Sequence, residues 1–128
     1  MTREKISTPD APQPAGGYSQ GIRLGNLVWT AGFGPQHPVT GAVPESVAEQ
    51  TRQALRNVEA TLAAAGLDLG DVVKTTVHLA DLADFAEFDA AYAPFFPYPA
   101  PARTTVGSQL AGFKVEIDVV AGRLTIDD

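Results

Sequence analysis

Val47, Thr51, Ala54, Leu55, Val58, Leu62 and Ala65 recur three or four positions apart through residues 46–65. A helix turns once per 3.6 residues, so this spacing gathers them on one face, and that face must be covered. The ends are marked as well. Ser46 stands as N-cap with Glu49 three residues on, the spacing of a capping box, and Gly66 supplies a left-handed stop. Whatever else this chain builds, it must offer an apolar surface to this helix. A second helix is expected after Asp81 or Asp84, either of which can cap it. Its apolar face is aromatic: Phe85, Phe88, Tyr92 and Phe95. Pro94 removes a backbone donor, so this helix should kink or end near Ala93.

The remaining segments read as strands. Ile22-Arg23-Leu24 and Leu27-Val28-Trp29-Thr30 flank Gly25-Asn26, a two-residue hairpin signal. Residues 72–80 alternate, with Val73, Thr75, Val77 and Leu79 expected on one face and Lys74, Thr76 and His78 on the other. Residues 103–107 and 113–120 complete the set, the latter with Val115, Ile117 and Val119 inward and Lys114, Glu116 and Asp118 outward. The order ββ–α–β–α–ββ is best satisfied by an α+β two-layer sandwich, a mixed sheet with both helices packed on one face. The connection from 72–80 to 103–107 passes through a helix, so those two strands should be parallel. The second face of the sheet is left part apolar and part polar, with Val72, Thr76 and Val120 beside Arg103, Glu116 and Asp118. An uncovered face of this kind is a candidate oligomer interface.

At 128 residues, one domain with a single core is expected. Residues 1–17, rich in Pro, Ala and Gly, read as an extended N-terminal arm, and residues 18–128 as the domain. The net charge of -6 and the lack of any basic run argue against nucleic acid as the default partner. Without cysteine there are no disulfides, no thiolate metal sites and no cysteine nucleophile. His37 and His78 are too far apart in sequence to suggest a metal site. No segment is long and apolar enough to span a membrane, and the first residues lack the apolar stretch of a signal peptide, so a cytoplasmic location is expected.

Few residues stand out chemically. Arg103 follows Pro97-Tyr98-Pro99-Ala100-Pro101-Ala102, a stiff lead-in to a strand. A guanidinium held this way suits bidentate capture of a carboxylate, or it simply pairs with a nearby acid. Glu116, mid-strand, could hold a water or move a proton, or it could merely be solvated beside Lys114 and Asp118. Tyr18 follows a glycine pair and could cover a ligand or pack the arm. Gly32-Phe33-Gly34 lacks the rest of a dinucleotide fingerprint. His78 alternates onto the face away from the helices, as an interface residue would.

Taken in order, the markers form a pattern: Gly17-Tyr18-Ser19-Gln20-Gly21, Gly25-Asn26-Leu27-Val28, Thr30-Ala31-Gly32, Pro38-Val39-Thr40-Gly41, Asp71-Val72-Val73-Lys74-Thr75-Thr76-Val77, Pro101-Ala102-Arg103 and Val115-Glu116-Ile117. From about Pro12 to Ala121 the chain resembles the Rid family, the YjgF-type reactive intermediate deaminases. The resemblance implies a chorismate-mutase-like fold and a homotrimer with clefts between subunits. It implies hydrolysis of 2-imino acids to 2-keto acids and ammonia, with no cofactor and no metal. In that scheme Arg103 binds the substrate carboxylate, Glu116 orients the attacking water and Tyr18 contributes to the cleft. Some positions depart from the family pattern. Its common Thr-Ser-Gly-Gln stands here as Thr30-Ala31-Gly32-Phe33, its Ser-Cys-Val as Thr104-Thr105-Val106, and a frequent Asn as Asp89. With Tyr18, the positions Ala31, Gly32, Phe33, Asp89 and Thr105 are the expected substrate-binding residues, and the departures among them, Ala31, Phe33, Asp89 and Thr105, fit a larger or specialised imine. The competing expectation is a non-catalytic trimer that holds a carboxylate metabolite in the same clefts.

Overall fold

Helix α1 (Val47–Ala64) begins where the Ser46 hydroxyl accepts from the Glu49 amide at 3.0 Å. Only that half of the expected capping box forms, because the Glu49 carboxylate is drawn to Arg52 one turn on. The helix ends in a Schellman turn. Leu67 donates back to the Leu62 carbonyl and Gly66 to that of Ala63, with Gly66 at φ 79°, where a side chain would be strained. These features are seen in the computed structural model, which describes residues 2–125. Residues 126–128 of the expected domain lie outside the described residues.

Six strands form one sheet: β1 (Glu4–Ile6), β2 (Gly21–Leu24), β3 (Leu27–Thr30), β4 (Val72–Leu79), β5 (Ala102–Gly107) and β6 (Val115–Gly122). Their order is β1-β2-β3-β6-β4-β5. All neighbours are antiparallel except β4 and β5, which are parallel, as a crossover through a helix requires. That crossover carries α2 (Phe85–Tyr92). Asp81 caps the short 3₁₀ turn that leads into it, accepting from the Ala83 amide at 2.9 Å. Past Tyr92 the chain tightens into a second 3₁₀ turn around Pro94. As a consequence Phe96, not Phe95, completes the ring row with Phe85, Phe88 and Tyr92.

Both helices cover one face of the sheet. Val28, Val77, Leu79, Val115, Ile117 and Val119 meet Leu55, Val58, Leu62 and Phe88 there, nearly all with no exposure. Each such side chain stabilises the fold by about 1.5–3 kcal/mol relative to an exposed one. Helix α1 also buries amides that the apolar pattern did not reveal. Asn57 donates to the carbonyls of Gly34 and Gln36, and Gln50 bonds Pro44 and Lys114. Their role is to satisfy the carbonyls of Gly34, Gln36 and Pro44 and the Lys114 amide, which would otherwise lack partners.

Two expected orientations are corrected. A bulge between Val72 and Lys74 turns Val72 into the core, at 8% exposed, and leaves Val73 out, at 55%. Arg103 also changes face. It pairs with Thr75, whose side chain points to the helices, so Arg103 lies on the helix face and not beside Glu116 on the open one. The open face carries Lys74, Thr76, His78, Glu116, Asp118 and Val120 by register. Burial raises the Asp118 carboxyl above its ordinary value, with His78 and Lys74 partly offsetting this.

The N-terminal segment is extended, and it adds β1 at the sheet edge. Ile6 and Ala11 reach the core. Gln20, 2% exposed, ties this segment down. Its oxygen accepts from the Thr8 amide at 2.7 Å, and its nitrogen donates to the carbonyls of Thr8, Ala11 and Pro12.

Candidate functional site

Glu116 is the second residue of β6, not mid-strand as expected, and lies on the open face opposite His78. Its carboxylate rests against the backbone of Gly32, just past the end of β3. A Cβ on Gly32 would stand 2.8 Å from Glu116 Oε2 and 3.0 Å from its Cδ. Gly32 is thus needed for close approach. Around this contact opens a depression of about 540 Å³, lined in part by Tyr18, Trp29, Thr30, Ala31, Gly32 and Glu116. Tyr18 is 51% exposed, and its hydroxyl accepts from the Ala15 amide at 3.1 Å, which holds the ring at the rim. A second depression of about 330 Å³ continues on the other side of Tyr18, with Phe33, Phe113 and Glu116 among its lining. Phe33 is only 4% exposed: its ring belongs to the core and floors this space. A carboxylate in such surroundings can hold a water against a partly apolar ligand.

Replacing Gly32 by alanine tests that contact. The clash falls on a mobile side-chain end, so the thermal midpoint should stay within a few degrees of wild type. The Glu116 carboxylate should be displaced, and kcat/KM should fall by roughly tenfold or more, since a misplacement of about 1 Å can cost that much. A melting curve beside a turnover assay reads both.

Arg103 is built by different elements. It leaves β5, the edge strand, toward α2, and its Nη1 donates to Asp89 Oδ1 at 2.7 Å. The guanidinium carbon lies 4.8 Å from the Tyr92 ring centre, 5.2 Å from that of Phe85 and 5.5 Å from that of Phe88. Three rings and a carboxylate therefore fix a cation that remains 23% exposed. The Tyr92 hydroxyl is itself tied to Thr75 at 2.8 Å, and burial raises its pKa above the ordinary value, so it stays neutral beside the pair. Thr105 pairs with Val77 two residues along β5, on the same helix-facing side as Arg103. A guanidinium packed among these rings and bonded to Asp89 has five N–H donors, more than these neighbours use, so donors remain for a second carboxylate.

The expected site residues thus fall into two groups. Tyr18, Ala31, Gly32, Phe33 and Glu116 gather around the depressions at the end of β3. Arg103, Asp89 and Thr105 gather at the β5 edge under α2. One chain does not bring the two groups together, because Arg103 and Glu116 leave the sheet on opposite faces. Sequence reading missed Gln20, which sets the backbone on either side of Tyr18. The signal was available in principle, since a proline-rich segment without regular structure needs outside partners for its carbonyls. Among the described residues no three His, Asp or Glu side chains cluster as metal ligands would, and no helix is long and apolar enough to cross a membrane.

The family profile described as Endoribonuclease L-PSP matches residues 8–122. The chain belongs to the Rid (YjgF/L-PSP) family. It is 46% identical over 123 residues to the 2-iminobutanoate/2-iminopropanoate deaminase of Escherichia coli (strain K12), covering 92% of this chain and 96% of that one. It is also 46% identical over 124 residues to the chloroplastic Reactive Intermediate Deaminase A of Arabidopsis thaliana, covering 94% of this chain and 66% of that one. The crystal structure of the YjgF gene product from E. coli matches with a TM-score of 0.89 at 46% identity, covering 94% of this chain and 98% of that one. This Rid chain accordingly has the chorismate-mutase-like α+β fold. Within it, two of the expected site residues, Arg103 and Asp89, are in direct contact.

Proposed function

We propose that this Rid chain hydrolyses reactive 2-imino acids to 2-keto acids and ammonia, in a homotrimer whose clefts lie between subunits. The observation that carries the chemistry is the 46% identity, over nearly the full length of both chains, to a protein named as a 2-iminobutanoate/2-iminopropanoate deaminase. The assembly is supported by the division of the site. Arg103 and Glu116 leave opposite faces of one sheet, so a ligand can meet both only if a neighbouring subunit presents the second group. The uncovered face, with Trp29 38% exposed at its rim, gives subunits a surface to bury.

The reaction then follows from charge and position. The ligand carboxylate binds the remaining donors of Arg103. The adjacent C=N carbon, already electrophilic when protonated, is held facing Glu116 and its water. Glu116 accepts a proton as the water oxygen bonds to that carbon, giving a tetrahedral carbinolamine. Glu116 returns the proton to nitrogen, the C–N bond breaks with its electron pair going to ammonia, and the carbonyl forms as the hydroxyl proton passes to Glu116 and from there to the departing ammonia. No electrons change hands, so the scheme requires neither a redox cofactor nor a metal. The protein contributes positioning and electrostatic stabilisation. Tyr18 closes the rim, and Phe33 makes the floor apolar enough for a substituent larger than ethyl.

The net charge of -6 offers no basic track for a nucleic acid backbone. The test is direct. Purified protein is added while an amino-acid oxidase generates 2-iminobutyrate or a bulkier aromatic imine in situ. Keto acid should appear faster than in buffer for at least one imine. Equal rates across the panel would leave a carboxylate-binding trimer as the reading.

A further inference from the structure

The ion pair between Arg103 and Asp89 has a consequence for which ligands the cleft accepts. A lone arginine attracts any carboxylate. Here the guanidinium is already bonded to one, at 2.7 Å, and the Asp89 side chain is still 43% exposed at the same spot. The neighbours are aromatic: Phe85, Phe88 and the neutral Tyr92. An arriving monoanion feels attraction from Arg103 and repulsion from Asp89 over nearly equal distances, so the pair offers it little net charge. A ligand bearing a carboxylate and an adjacent cation meets complementary charges at both ends. Its carboxylate takes free guanidinium donors, and its cation approaches the exposed Asp89 carboxylate.

We propose that Asp89 is a specificity-determining residue that makes the cleft favour zwitterionic ligands over simple carboxylates. The inference deepens the proposed function and rests on it for its meaning. A protonated 2-imino acid is a zwitterion. The 2-keto acid left after ammonia departs is a monoanion. Asp89 therefore holds the substrate better than the organic product and weakens product inhibition.

The test is equilibrium binding by titration calorimetry, at fixed ionic strength and on the assembled protein, so it does not depend on turnover. The probes are 2-aminobutyrate, which carries an ammonium, and 2-ketobutyrate, which does not. Wild type should prefer 2-aminobutyrate. D89N removes the charge and keeps the shape, and it should bind 2-ketobutyrate roughly fivefold more tightly while losing affinity for 2-aminobutyrate. D89E, which keeps the charge, should retain the wild-type order. A ratio that changes less than twofold in D89N, parallel weakening of both ligands, or no binding of either to wild type overturns the proposal. The imine-hydrolysis assay run alongside separates the two readings. Turnover without charge preference removes the role of Asp89 and leaves the deaminase. Charge preference without turnover does the reverse.

Discussion

Arg103→Ala should abolish the acceleration of 2-iminobutyrate hydrolysis while leaving the chain folded. The loss expected in kcat/KM is about a thousandfold, the scale of removing a charge-assisted bidentate contact from a partly desolvated site. The fold should survive, because Arg103 sits at the edge strand and its partner Asp89 is 43% exposed and can be solvated. Arg103→Lys separates charge from geometry. Lysine retains a cation but loses the planar fork held among the Tyr92, Phe85 and Phe88 rings, so it should recover only part of the rate. Steady-state kinetics beside thermal melts settle the matter. Wild-type turnover in a folded Arg103→Ala protein would remove the carboxylate-binding role altogether.

The second large effect concerns where the site is assembled. Glu116→Gln should also lose turnover, by roughly a hundredfold or more, since the amide cannot take the proton from water. Mixing Arg103→Ala chains with Glu116→Gln chains, by joint refolding or co-expression, should restore activity. If each cleft takes its arginine from one subunit and its glutamate from the next, an even random mixture leaves about a quarter of the clefts with both groups intact. If both groups came from one chain, every cleft would carry a defect and nothing would return. Recovery near a quarter of wild type therefore supports the shared cleft, and absence of recovery in folded, assembled mixtures rules it out.

What could be read from the sequence was local. Helix α1 announced itself through spacing, the Ser46 cap and Gly66, and the hairpin through Gly25-Asn26, because each signal lies within one turn of the backbone. The parallel pairing of β4 and β5 followed from connection length. The face of Arg103 did not, because it depends on which β4 residue sits opposite it. That register is set by packing between segments nearly thirty residues apart, Thr75 beside Arg103. The bulge that exchanges Val72 for Val73 was hidden for the same reason, since strict alternation is the only pattern a strand sequence displays. Residue type and strand position alone leave Arg103 and Glu116 between a functional and a merely structural role, and the family resemblance is what singles them out. Their placement on opposite faces, and the clamp made by Gln20, belong to tertiary structure and had no periodic trace.

The division of the site bears on how such a chain can diversify. Under the proposed reading, recognition is written on α2 and β5, where Asp89, the ring row and Arg103 meet. Bond-making is written at the junction of β3 and β6, where a methyl group on Gly32 would stand 2.8 Å from the Glu116 carboxylate. The first surface tolerates exchange, because Asp89 and Phe85 are partly solvated and their replacement leaves the core intact. On the second, even a change that keeps the fold, such as a methyl group on Gly32, displaces the Glu116 carboxylate. Drift in ligand preference can therefore accumulate on one helix while the chemistry stays fixed, so paralogues of this architecture should differ in what they accept before they differ in what they do.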